Sequence, residues 1–186
     1  MKTKIIVTIF VLLALSVTIY TSLKTKEKSE LKTDQKEEIV KESRTVRGNS
    51  LSGVINSAEE VTILNGYYKN NKVERDDIIL YDYKGSENGI IKIAKGIPGD
   101  SIELQKTEQS TNIIINGKIL VTSENEPYTL DEKAVTLLSR YIKSNANVIP
   151  KDQYLILGNL PQGSQDSTRF GFIARQDILG KVEYVK

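Results

Sequence analysis

The segment Thr111 to Val121, "TNIIINGKILV", holds two β-branched runs on either side of an Asn116-Gly117 step. A two-residue hairpin turn needs positive φ at both central positions, and Asn-Gly supplies it at the least cost. The same punctuation recurs from Thr45 onward. "EEVTILNGYY" carries Asn65-Gly66, "DDIILYDY" stops near Gly85, and "GIIKIAKGIPGDSIEL" places Pro98-Gly99-Asp100 between two runs. "VIPKDQYLILGN" reads as a strand, "LPQGSQDSTRFG" as a loop and "DILGKVEYV" as a closing strand. Residues 45–186 are therefore expected to form a mainly β, antiparallel domain. One helix interrupts it: in "LDEKAVTLLSRYIKSN" Ala134, Leu137, Leu138 and Tyr141 recur at helical spacing after Asp131, with Pro150 beyond the end.

The N-terminal part obeys different rules. Ile5 to Leu23 contains no charge. At ~1.5 Å per residue such a run spans about 28 Å, close to a bilayer's hydrocarbon core. Residues 1–23 read as an uncleaved transmembrane anchor, because the run exceeds a typical signal core and no small-x-small cleavage site follows; a cleaved signal peptide is the alternative. Lys2 and Lys4 precede the run and Lys24, Lys26 and Lys28 follow it, so charge alone leaves its orientation open. Residues 24–44 mix charges of both signs, lack Gly and Pro, and read as a stem with some helical spacing but too few apolar residues for a core.

Composition removes whole classes of chemistry. The formal charge is +2, and no basic block is interleaved with aromatics, which excludes nucleic acid as a partner. The chain has no histidine and no cysteine. Ser-His-Asp and Cys-His arrangements, the usual zinc sites and disulfides all go with them. A serine nucleophile in such a chain needs another base, and lysine is the residue whose pKa burial can lower far enough. The acids at Asp76-Asp77 and Asp166 make no paired-carboxylate signature and read as solvated surface.

Lys92 is the candidate base. In "GIIKIAKGI" alternation puts Ile91 and Ile93 on one face and Lys92 on the other with Ile90 and Ala94. If that face is covered, desolvation favours the neutral amine; if it is wet, Lys92 is an ordinary strand lysine. Ser50, in "SRTVRGNSLSGVI", is likewise either a nucleophile on a glycine-bearing turn or a polar residue between strands.

Four segments in order resemble the bacterial type I signal peptidases, membrane-anchored serine proteases with a Ser-Lys dyad. The family's G-x-S-M-x-P-T-L is matched by Gly48-Asn49-Ser50-Leu51-Ser52-Gly53-Val54-Ile55, and R-G-D-I-V by Arg75-Asp76-Asp77-Ile78-Ile79. K-R-x-I-G-x-P-G-D-x-V is matched by Lys92 to Ile102, and the second half of G-D-N-x-x-x-S-x-D-S-R-x-x-G by Ser164-Gln165-Asp166-Ser167 and Gly171. Asn116-Gly117 and the Glu126-Pro127-Tyr128 triplet also look like family features. Gly53-Val54 replaces Pro-Thr, Gly158-Asn159-Leu160 replaces G-D-N, and Arg169 falls one place late.

The resemblance implies a signal-peptidase-like antiparallel β-sheet domain with one short amphipathic helix, facing the extracytoplasmic side of the cell membrane behind its anchor. It implies Ser50 as nucleophile, Lys92 as general base, Ser164 orienting the amine, Asp166 supporting that loop, and the Ser50 backbone N–H as an oxyanion donor. A hydroxyl donor used by some relatives two residues earlier has no counterpart at Gly48. No cofactor and no metal are implied. The implied partners are exported precursors, pilins included, and membrane lipid. The alternative is a non-catalytic signal-peptidase-like accessory in pilus or surface-fibre assembly.

Overall fold

The computed structural model describes residues 15–24, 38–84 and 86–184. Two compact units divide the chain, 1–37 and 38–186. In the first, residues 15–24 form a helix, α1, with Leu15, Val17, Ile19, Tyr20 and Leu23 exposed. Among the described residues no helix is long and apolar enough to cross a membrane. The rest of the expected anchor, residues 1–14, and the stem through residue 37 lie outside the described residues.

Among the described residues the second unit holds ten strands, all paired antiparallel. Seven form one sheet in the order β1-β2-β10-β3-β4-β8-β9: β1 Val40–Thr45, β2 Glu60–Asn65, β3 Ile78–Tyr81, β4 Ile90–Gly96, β8 Gln153–Leu157, β9 Ile173–Ala174 and β10 Ile178–Glu183. Three more, β5 Ile102–Lys106, β6 Thr111–Ile115 and β7 Lys118–Ile119, form a smaller sheet. β1 begins inside the stretch that the sequence assigned to the stem. Its charged side chains hid a strand whose partner is supplied by β2, register Ser43 to Thr62.

Local expectations mostly hold. Asn116 and Gly117 take φ values of 49° and 74° between β6 and β7, the tight hairpin that their chemistry favours. The helix α2 runs Glu132–Ser144 with Asp131 as its N-cap, accepting from the Ala134 N–H. Its buried stripe is Ala134, Leu138 and Ile142, with Leu137 and Tyr141 at the margin of the stripe. A second short helix, α3 Ser167–Phe170, lies within the expected loop, because Asp166 caps it through the Thr168 N–H.

Three apolar clusters fill the unit. One joins the small sheet, α2 and β8 through Ile102, Ile113, Leu138 and Leu155. A second packs Leu51 and Ile55 against Ile63, Leu80, Ile93 and Val182 of the large sheet, and a third holds Ile79, Ala94, Tyr154 and Ile156.

The acids expected at the surface divide. Asp76 is exposed at φ 65°, which accounts for the glycine that the resembled pattern carries there. Asp77 is buried and accepts from the Tyr68 hydroxyl at 2.9 Å, the Glu74 N–H at 2.9 Å and Lys181 Nζ at 2.6 Å, joining the approach to β3 to β10. Asp100, also buried, accepts from Arg75 at 2.6 Å and from Asn116 at 2.8 Å, tying two of the motif segments to the Asn116-Gly117 hairpin. Asp77→Ala leaves a buried hydroxyl and a half-covered ammonium unpaired, and is expected to cost about 3 kcal/mol in urea unfolding.

Candidate active site

Ser50 opens a single helical turn that follows β1. The Ser52 N–H donates to Asn49 O, and the Val54 and Ile55 N–H groups donate to Leu51 O. Leu51 and Ile55, one turn apart, are buried at 2% and 0% exposure, so the apolar core holds the turn from below. Gly48 at φ 84° brings the chain into it, and open space surrounds the position where its Cβ would stand. From the other side, the Asn159 and Leu160 N–H groups, just past the end of β8, donate to Ser50 O at 2.6 and 3.4 Å.

Lys92 sits near the middle of β4, paired with the fully buried Ile79 on β3 and two residues from the fully buried Ala94. Its own exposure is 4%, so its face of the strand is covered and the solvated alternative is excluded. Nζ donates to Ser50 Oγ at 2.8 Å and to Ile91 O at 2.8 Å. Burial disfavours the ammonium and pulls its pKa down to about 8, while the Asp166 carboxylate pulls weakly the other way.

Asp166 is 2% exposed, not surface. Oδ2 accepts from the Gly158 N–H at 3.0 Å, and Oδ1 from the Thr168 N–H at 3.0 Å and its hydroxyl at 2.7 Å. Burial pushes its carboxyl above the ordinary range, against those hydrogen bonds. Ser164 is also buried, but its Oγ has no hydrogen-bond partner among the described residues, and Lys92 donates to Ile91 instead. Gly158 holds these groups together: a Cβ there would lie 2.6 Å from Ser50 O and closer still to Ser164 Oγ.

Sequence reasoning missed three contributors. The Tyr128 hydroxyl, in the Glu126-Pro127-Tyr128 triplet, donates to Gly158 O at 2.6 Å, and burial pushes its pKa up. Thr168, whose insertion displaces Arg169 by one place, supplies two of the bonds to Asp166. Asn159 bonds to both main chain and side chains around the Ser50 turn. The late Arg169 marked Thr168, and the replacement of the family's aspartate marked Asn159, without saying what they touch. Arg169 lies outside the site, paired with Asp131 at 2.7 Å.

A groove of about 580 Å³ runs beside the serine, between β1 and the start of β4. Its lining is mixed: Val46, Leu51 and Ile90 share the walls with Glu42, Arg44 and Asn88. Arg44 donates to Glu42 at 2.8 Å and to Asn88 O at 2.6 Å, joining the two walls. β1 is an edge strand of the large sheet, so it keeps an unpaired edge within that sheet. Among the described residues no group of acids could hold a metal.

The geometry unites a serine hydroxyl, a desolvated amine and a groove, which is what acyl transfer without histidine requires. Comparison with known proteins agrees on the family. A family profile described as signal peptidase, peptidase S26, matches residues 2–185. Signal peptidase IB of Staphylococcus aureus is 27% identical over 151 residues, covering 75% of this chain and 74% of that protein. A probable signal peptidase I-2 of Synechocystis sp. is 27% identical over 148 residues, 76% of this chain and 61% of that one. A crystal structure of a signal peptidase I from Enterococcus faecalis aligns with a TM-score of 0.43 at 26% identity, over 60% of this chain and 97% of that chain. With a profile match over nearly every residue, this mainly β chain belongs to the signal peptidase family, peptidase S26.

Proposed function

We propose that this protein is a membrane-bound serine endopeptidase that removes signal peptides from exported precursors, with Ser50 and Lys92 as its dyad. The observation that carries the reading is the 2.8 Å contact between Lys92 Nζ and Ser50 Oγ, made by an amine that burial has moved toward neutrality. Neutral Lys92 takes the hydroxyl proton as Ser50 Oγ attacks the scissile carbonyl. The same amine, now charged, delivers that proton to the leaving nitrogen. Water, deprotonated by Lys92, then hydrolyses the ester and frees Ser50. The Ser50 N–H, which donates to no group among the described residues, is the oxyanion donor. Asp166 holds the main chain of Gly158, and Ser164 stands beside it as the group that orients the amine when substrate rearranges the site.

The precursor lies extended in the groove along the edge of β1. Residues 1–23 form the anchor and 24–37 the stem, with the domain from residue 38 on the extracytoplasmic side, where signal peptides emerge. The exposed apolar side chains of α1 suit that role. Pilins are candidate precursors. The accessory alternative is not favoured, because a non-catalytic helper has no use for a buried lysine held against a serine.

Mass spectrometry of a membrane-embedded precursor incubated with the protein in lipid vesicles is expected to find a cut after a small-x-small site. Ser50→Ala is expected to abolish that cut, and an unchanged product would sink the dyad.

The rate has a definite pH dependence. Lys92 is a base only when neutral, so kcat/KM is expected to climb about tenfold per pH unit below about pH 8 and to level off above it. A flat profile across that range would exclude Lys92.

Stability also rises with pH, but over a higher range than activity. The folded pKa of about 8 lies below the ordinary 10.5, so the cost of burying the ammonium is fully present below pH 8 and fades as pH rises toward 10.5. That cost is on the order of 3 kcal/mol at neutral pH. Lys92→Met is therefore expected to be inactive yet at least as resistant to heat as the wild type at pH 7, the difference narrowing at high pH. A clear fall in Tm would contradict it.

A further inference from the structure

Two departures from the family pattern, far apart in sequence, meet in space. Gly53 stands where the pattern has proline and Asn159 where it has aspartate. A Cβ built on Gly53 would fall 3.0 Å from Asn159 Nδ2 and 3.2 Å from Ser123 Oγ. Asn159 is 4% exposed and its amide is fully used: Nδ2 donates to Ser52 O at 2.7 Å and to Ser123 Oγ at 2.8 Å, and Oδ1 accepts from the Ser123 N–H at 2.9 Å.

We propose that Asn159 is a positioning residue for Ser50, its side-chain amide locking the turn that carries the nucleophile, and that Gly53 is the vacancy that admits the amide. The main-chain N–H of Asn159 holds Ser50 O and its side chain holds Ser52 O, so one residue fixes the turn on both sides of Leu51. An aspartate has the same shape but, when ionised, no donor, and would set a carboxylate against the Ser52 carbonyl. A proline at 53 cannot take the φ of 88° found there. Each family residue is thus incompatible with the geometry found here, and because a Cβ at 53 would crowd the Asn159 amide, the two exchanges act as one device.

This inference rests on the dyad reading and predicts where its loss is felt. Neither Gly53 nor Asn159 lines the groove, so substrate binding is spared. A displaced turn moves Ser50 Oγ from Lys92, and small misplacements of reacting groups are costly. Asn159→Asp is expected to lower kcat about tenfold or more at pH 8 while KM stays within about twofold. Gly53→Ala, which displaces the amide without removing it, is expected to act alike and serves if Asn159→Asp does not fold. In the double variant the two losses should not multiply, since both break one contact.

A readout independent of turnover is the Lys92 titration followed by side-chain NMR in Gly53→Ala, where no charge is added. Its midpoint is expected to rise from about 8 toward 10.5 as the turn loosens and water reaches the amine. An unchanged midpoint, a kcat within twofold of wild type in folded protein, or losses that multiply would each overturn the proposal. A wild-type protein that cuts no precursor would sink the peptidase reading, and the titration would still decide whether Asn159 positions the turn.

Discussion

The desolvation of one amine organises this molecule. Lys92 would be an ordinary strand lysine if its face of β4 met water, and every neighbour works to prevent that. Ile79 covers it from β3, Ala94 leaves no polar company along the strand, and Ser50 occupies the end of the side chain. A lysine among such neighbours loses hydration without gaining a carboxylate partner, and it is that imbalance that lowers its pKa. The large sheet is the device that produces it: β3 and β8 flank β4, and the Ser50 turn that follows the edge strand β1 closes on the amine.

The end of β8 transmits this order to the serine. Gly158 donates to Asp166 and accepts from Tyr128, while the next two amides hold Ser50 O. No side chain is possible at Gly158, because the space belongs to Ser164 and to the Ser50 carbonyl. The small sheet, which supplies no group to the dyad, contributes through the chain that leaves it: Tyr128 and Ser123 both follow β7 and both bear on the Gly158-Asn159 main chain or side chain. The two sheets thus meet at the site through hydrogen bonds to two residues.

Local features were legible in the sequence for local reasons. The Asn116-Gly117 hairpin and the helix α2 that begins after Asp131 are set by neighbours in the chain, and each lies where the sequence places it. The pairing of Ser50 with Lys92 was approached by elimination, since no histidine exists, and by the order of motif segments. What could not be read depends on partners distant in sequence. β1 looks like charged stem until β2 is beside it, and the insertion of β10 between β2 and β3 has no local signature. Asp77 and Asp166 look like surface acids because their donors, Lys181, Tyr68, Gly158 and Thr168, are recruited by the fold. Asn159 was visible as a departure, but its meaning required Gly53 at its side.

Asp166 illustrates how finely such a site must be balanced. A carboxylate in direct contact with the amine would hold the proton on Lys92 and remove the base. Among the described residues no ion pair joins them, and both carboxylate oxygens are occupied by Gly158 and Thr168. From that position Asp166 still draws the lysine's pKa upward, but less than burial draws it down. The hydrogen bonds that hold Asp166 in place therefore serve the lysine as well: they keep the acid near enough to moderate the desolvation and too well satisfied to cancel it. On the dyad reading, burial sets the pH at which Lys92 becomes a base, and the place where Thr168 and Gly158 hold that carboxylate moderates it.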